Sequence, residues 1–180
     1  MHDEVSIEKK LPNRVDGTLR KFALRVPECI YKCSGIIVFG KRIKSLVFST
    51  DLSIIRNVNA DAIMAVYPFT PQPVITQALL HTVDIPVVVT VARKETDFEA
   101  RLKAGADIFN VSAAADTPDL VRRIKDAHPD VPVIATGGPT EESIMQTIAA
   151  GANAITWTPP SNGEVFRDIM AAYREGKPHP

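Results

Sequence analysis

The stretch Val131-Pro132-Val133-Ile134-Ala135-Thr136-Gly137-Gly138-Pro139-Thr140 decides the fold. A short apolar run ends in Thr136-Gly137-Gly138 and meets a helix-start signal, Pro139-Thr140-Glu141-Glu142. Ala149-Ala150-Gly151-Ala152 closes that helix, and a second apolar run, Ala154-Ile155-Thr156-Trp157, ends in Thr158-Pro159-Pro160-Ser161. The pattern is strand, glycine turn, helix, strand, polar loop. Two glycines between a strand and a helix let the backbone pass close to an anion, and the helix N-terminus offers free N–H groups. The same pair also suits a tight turn with no ligand.

Working outward, the unit repeats. Residues 46–48 lead through Ser49-Thr50-Asp51 into a helix over 52–57. Residues 62–66 lead through a loop at 67–71 into 73–81, and 86–91 lead through Ala92-Arg93-Lys94 into 97–104. Residues 108–111 lead through 112–116 into 118–127, and the last helix is expected over 164–173. The strands are rich in Val and Ile and nearly unbroken in apolar character, as in a parallel sheet covered on both faces. Helix ends repeat a phrase, Asn59-Ala60-Asp61, Ala104-Gly105-Ala106-Asp107 and Ala150-Gly151-Ala152-Asn153, in which a small residue turns the chain and Asp or Asn starts the next strand. The class is α/β, a TIM-barrel-like parallel βα repeat of six units plus an N-terminal hairpin strand. The gap at 40–44 is too short for a crossover helix, so residues 35–39 and 45–49 are expected to form a hairpin or one bent strand. An open flavodoxin-like sheet is the alternative. One domain is expected over 16–175, preceded by a polar arm at 1–15. Within its first part, a helix from about residue 19 to 26 and a short one at 28–32 are expected.

Composition narrows the function classes. The 180 residues are 45% hydrophobic, and 21 basic residues balance 21 acidic ones. That balance leaves no nucleic-acid or acidic-membrane footprint. The basic N-terminal residues Lys9, Lys10, Arg14, Arg20, Lys21 and Arg25 are diluted by Asp3, Glu4, Glu8 and Asp16 and read as solvated surface. No membrane span or signal peptide is read, and a cytoplasmic protein is expected. Cys29 and Cys33 are spaced C-x3-C with no second pair for zinc, so they are expected to be small, half-buried thiols in a reducing compartment. His2 and His179 lie in the tails and His81 and His128 at helix ends. No metal and no cofactor is expected.

In a barrel the reactive face is the C-terminal end of the strands. Asp51 follows two hydroxyl residues there. It would serve as a general base or orient a substrate hydroxyl, or it would cap the helix that follows. Asn110 would hold a carbonyl or hydroxyl, or bridge neighbouring strands. Both are the candidate catalytic residues. Thr136, Gly137, Gly138, Thr158 and Ser161 are the anion-binding candidates. Arg93 and Lys94 would neutralise a phosphate or carboxylate, or pair with Glu95 in a solvated turn. Tyr67, Thr90, Ser112 and Trp157 complete the expected substrate pocket; the aromatic–proline loops at 67–69 and 157–159 would wall it, or instead cover core or a subunit interface.

Residues 67–77, 134–140 and 154–160 resemble a bacterial family of uncharacterised TIM-barrel proteins labelled hydrolases, over most of residues 20–175. The resemblance implies two further βα units where this chain has Asp84-Ile85-Pro86-Val87, one with a Gly-Val-Gly-Gly-Gly loop and one with an Asn-Ala-Pro loop. More widely, Thr136-Gly137-Gly138 and the loop at Trp157-Thr158 resemble the phosphate grip of the ribulose-phosphate-binding barrels, which implies a small phosphorylated or carboxylated metabolite. The aldolases of that group use a Schiff-base lysine on a central strand, and no lysine falls within an expected strand after Lys44. No nucleophile elbow of the G-x-S-x-G type occurs. The function expected is a barrel enzyme, with lyase, isomerase and hydrolase chemistry all open. The alternatives are a metabolite-sensing barrel without catalysis, as in glycerol-phosphate-responsive antiterminators, and a truncated barrel working only as a homo-oligomer.

Overall fold

The computed structural model describes residues 24–38, 40–65, 73–82, 87–88, 94–103 and 108–176. The expected arm at 1–15, most of the helix expected between 19 and 26, the loop at 67–72 and residues 84–86 lie outside them.

A 3-10 turn, Glu28–Lys32, precedes the antiparallel hairpin of β1 (Ile36–Val38) and β2 (Lys41–Ile43). Among the described residues six βα units follow: β3 (Ser45–Phe48) with α1 (Leu52–Asn57), β4 (Ala62–Met64) with α2 (Pro73–Thr82), and β5 (Val87–Val88) with α3 (Glu95–Lys103). The second three are β6 (Phe109–Val111) with α4 (Thr117–Ala127), β7 (Val133–Thr136) with α5 (Glu141–Ala149), and β8 (Ala154–Trp157) with α6 (Asn162–Arg174). One expectation is corrected. The hairpin partner of the first run is not the strand at 45–48 but Lys41–Ile43, inside the stretch read as a gap. Gly40, at φ 76°, makes the reversal possible, and Lys41 and Arg42 stay exposed while Ile43 is buried. Ser45–Phe48 belongs instead to the parallel sheet.

The six parallel strands run in the order β5-β4-β3-β8-β7-β6. Within β3-β4-β5 and within β6-β7-β8, each connection steps the same way, and the last strand lies beside the first. Right-handed crossovers that all step one way put every helix on one face. Packing agrees. Val47, Ile63, Phe109, Val111, Ala135 and Ile155 share a core with residues of the helices. The alternate residues Leu46, Ala62, Met64, Ile134 and Ala154 form a second core with Ile36 and Ile43 of the hairpin. The sheet therefore has an outer, helix-covered face and an inner face closed at its N-terminal end by the hairpin. A flavodoxin-like sheet would reverse its winding and carry helices on both faces; this curled parallel sheet does neither. Among the described residues β5 pairs only with β4, and β6 only with β7.

The recurring Asp and Asn before each strand do more than start it. Asp61 Oδ2 accepts from Lys44 N, Ser45 N and Ser45 Oγ at 2.9, 3.2 and 3.1 Å. Asn153 Oδ1 accepts from Val133 N at 2.9 Å. Each side chain thus ties its own strand to the start of the neighbouring one. The third such phrase, at 104–107, lies outside the described residues.

The 3-10 turn packs against α5. Its chain is also held at the end of α1, where Val26 N donates to Asn59 Oδ1 at 2.8 Å, and at the start of β8, where Gly35 N donates to Asn153 O at 2.8 Å. Val26, Cys29, Ile30 and Cys33 enter the outer core. Burial pushes the Cys33 thiol up to about 11, as for an inert core thiol. By connectivity α6 would fill this place between α5 and α1. Instead it contributes no buried residue, and Phe166 and Tyr173 are exposed.

Candidate functional site at the C-terminal edge of the sheet

Side-chain parity decides what reaches the inner face here. Asn110 shares the inner parity of β6 and is buried. Its Oδ1 accepts from Thr156 Oγ1 at 3.1 Å, two strands away on β8. Between them Thr136 ends β7, in register with Thr156. Asn110 therefore does bridge strands, as one of its two readings held. Ser112, just beyond β6, is half-buried.

Trp157 is not on this face. It has the parity of Ile155 and packs against the outer core. It covers core on the outer side, the other reading of its loop, and Thr156, one residue earlier, has the inner-face parity. A single step along a strand exchanges faces.

The glycine turn is explained locally. A Cβ on Gly137 would meet Ile144 Cγ1 and Ile155 Cγ2 at 2.8 Å, so its absence lets α5 lie against β8. Gly138 has φ 80°, and a Cβ there would meet Ser143 Oγ at 2.6 Å. Gly137 N donates to Thr156 O at 3.3 Å. Gly138 N has no partner among the described residues. The first turn of α5 is capped by Thr140, whose Oγ1 accepts from Ser143 N at 3.2 Å. Glu141 and Glu142 stand exposed in that turn.

Ser161 is the N-cap of α6. Its N and Oγ donate to Glu164 Oε2 at 2.8 and 2.7 Å, which holds the Glu164 carboxyl below the usual range. Thr158 is exposed. Ser161 is thus committed to its helix, and the structure does not bring it to the inner face.

Asp51 caps α1. Oδ1 accepts from Ser53 N at 2.8 Å, Ser53 Oγ at 2.6 Å and Ile54 N at 3.3 Å. Oδ2 accepts from Asn162 Nδ2, at the start of α6. This tie exists because β3 and β8 are neighbours, and no local signal in the sequence marks Asn162. The hydroxyl of Ser53 and the amide of Asn162 hold the Asp51 carboxyl at about 2, from an ordinary 3.8. Such a carboxylate is a weak base. A lowered pKa means that the stabilisation is fully present above 3.8 and is lost as pH falls toward 2. The melting temperature of the wild type should therefore exceed that of Asp51→Asn by a constant margin above about pH 5, and the margin should narrow as pH falls below 4 and close only below pH 2. A margin unchanged down to pH 2 would contradict the assignment.

Lys94 is exposed ahead of α3. Tyr67, Thr90 and Arg93 lie outside the described residues. Among the described residues no group of three or more His, Cys, Asp or Glu is placed to share a metal ion, and no helix is long and apolar enough to cross a membrane. No family model matches the chain, and no curated protein matches it.

Proposed function

We propose that the chain is a TIM-barrel-type domain of six βα units that binds a small phosphorylated or carboxylated metabolite at the C-terminal edge of β6, β7 and β8, in the manner of the phosphate-binding barrels. The observation that carries the reading is the layer of neutral polar groups on the inner face, Asn110, Thr136 and Thr156, beneath a glycine turn whose Gly138 N–H has no partner among the described residues. A strand order that is a cyclic permutation of the chain order supports the barrel type. Resemblance to the hydrolase-labelled family gives the enzyme class its starting point.

Thermal denaturation with inorganic phosphate, sugar phosphates and small carboxylates tests this. A ligand at 100 times its Kd raises stability by about 2.7 kcal/mol. The anion is expected to bind near Glu141 and Glu142, so changing both to Gln should tighten it about two- to fivefold. No stabilisation of a chain shown by circular dichroism to be folded would sink the reading.

A sensor without catalysis is favoured by one observation: both Asp51 carboxylate oxygens are already engaged, and the group is a weak base. An oligomer that covers the sheet is favoured by another, the exposed Phe166 and Tyr173 of α6. Sedimentation of the intact chain speaks to the second.

A further inference from the structure

The sequence holds one asparagine–glycine pair, Asn162-Gly163, and the fold places it at the head of α6, where both residues are exposed. Ser161 is the N-cap, so this pair opens the helix, where backbone N–H groups have no acceptor one turn back. Glu164 N is taken by Ser161 Oγ at 3.3 Å and Val165 N by Ser161 O at 3.0 Å. Gly163 N has no partner among the described residues. Little stands over it: a Cβ built on Gly163 would find Ser161 Oγ, at 4.0 Å, as its nearest neighbour beyond the adjoining residues. Glycine carries no branch beside its nitrogen, so that nitrogen can approach the preceding side-chain amide without hindrance. Asn57, Asn59, Asn110 and Asn153 are each followed by Val or Ala.

The same amide has a structural task. Asn162 Nδ2 donates to Asp51 Oδ2, which ties the start of α6 to the start of α1. Helix α6 contributes no buried residue, whereas α4 buries Leu120, Val121 and Ile124. A polar tie therefore matters more to α6 than to a helix anchored by apolar burial. An acid in place of the amide would remove the donor and set a second carboxylate against Asp51.

We infer that Asn162 is a site of spontaneous deamidation, and that the conversion releases α6 from α1. Gly163 N gives up its proton to hydroxide and attacks Asn162 Cγ. The new N–C bond closes a succinimide ring, the Cγ–Nδ2 bond breaks, and Nδ2 takes a proton from water and leaves as ammonia. Water then opens the ring at either carbonyl. One opening gives aspartate; the other gives isoaspartate, in which the main chain runs through the side-chain carbons. No oxidant or reductant is needed. The ring closes only when the first turn opens, and helix ends fray at little cost. Isoaspartate lengthens the main chain inside that turn and so also breaks the reciprocal bonds of Ser161 and Glu164.

Prolonged storage of the intact chain at alkaline pH, followed by ion-exchange separation and peptide mapping, tests it. A more acidic form should accumulate in proportion to hydroxide, changed at Asn162 and carrying isoaspartate that an isoaspartyl methyltransferase labels. Gly163→Ala, for which there is room, should slow the conversion by at least about tenfold. Amide hydrogen exchange should be faster through α6 in the isolated acidic form and unchanged in the sheet. Asn162→Asp, made directly, should show the same faster exchange without any isoaspartate. No acidic form, or one changed elsewhere, overturns the site. A rate unmoved by Gly163→Ala overturns ring closure through Gly163 N. Exchange through α6 that matches the unmodified chain, in both the acidic form and Asn162→Asp, overturns the release. None of these readouts depends on the metabolite site proposed above.

Discussion

Phe109→Ala is expected to destabilise the protein by about 3–5 kcal/mol, read as a lower denaturant midpoint at unchanged slope. Phe109 is buried on the outer face of β6, an edge strand among the described residues. Its ring centre lies 4.4 Å from that of Phe98 on α3, tilted by 47°. Phe98 in turn lies 5.4 Å from the His128 ring at the end of α4. Helix α3 belongs to the connection that carries the chain from β5 at one edge to β6 at the other, so this ring pair fixes the longest traverse in the sheet. Alanine removes the transfer energy of the ring and leaves a cavity that α3 must collapse to fill. Phe109→Leu keeps most of the volume and should cost about 1–2 kcal/mol. A double-mutant cycle with Phe98→Ala should give a coupling of about 0.5–1.5 kcal/mol, as for tilted aromatic pairs. A loss below about 1 kcal/mol for Phe109→Ala would mean that β6 lies outside the cooperative core.

Asp61→Ala is expected to cost about 2–4 kcal/mol, because it leaves two backbone N–H groups and one hydroxyl without their acceptor. The carboxylate gathers Lys44 N, Ser45 N and Ser45 Oγ at the point where the hairpin gives way to β3. Ser45 itself is fully buried, and Asp61 N returns a bond to Ser45 Oγ at 3.0 Å. Asp61 is half-buried, so water replaces part of what is lost, which sets the upper limit. Asp61→Asn keeps one acceptor oxygen and should lose about half as much. Ser45→Ala and Asp61→Ala should not add, since they break one network. A measured loss under about 0.5 kcal/mol would show that solvent supplies the missing acceptor in full.

Those two sites mark what the sequence could and could not declare. Two helix starts were legible because capping is local: Asp51 and Thr140 are N-caps with side-chain acceptors, whereas Ser161, read as an anion-binding residue ahead of a helix from 164, is the N-cap of α6. The Asp and Asn of the repeated phrase were legible as strand starts, but their bonds run to the next strand, which local pattern does not identify. Pairing of β3 with β8 joins distant parts of the chain, and with it came the contact of Asp51 with Asn162. The hairpin was misjudged because Lys41 and Arg42 look like loop residues, whereas an exposed two-stranded ribbon tolerates charge on its outer side. Asn110, Thr136 and Ser112 could be placed at strand ends from the sequence, whereas Thr156, which meets Asn110 across two strands, could not be singled out without the strand pairing. Position of α6 was not legible either, because an amphipathic helix does not announce that a segment from the chain's beginning has taken its groove.

Since β8 lies against β3, a chain opened between α3 and β6, with its present ends joined, would traverse the sheet in a single sweep, β6-β7-β8-β3-β4-β5. Such a circular permutant would have no connection from edge to edge. Ser45 and Ile155, which pair across most of the natural chain, would become partners separated mainly by α6, the joining segment and the hairpin. With its mean contact separation reduced, the permuted chain would close its sheet faster than the natural one.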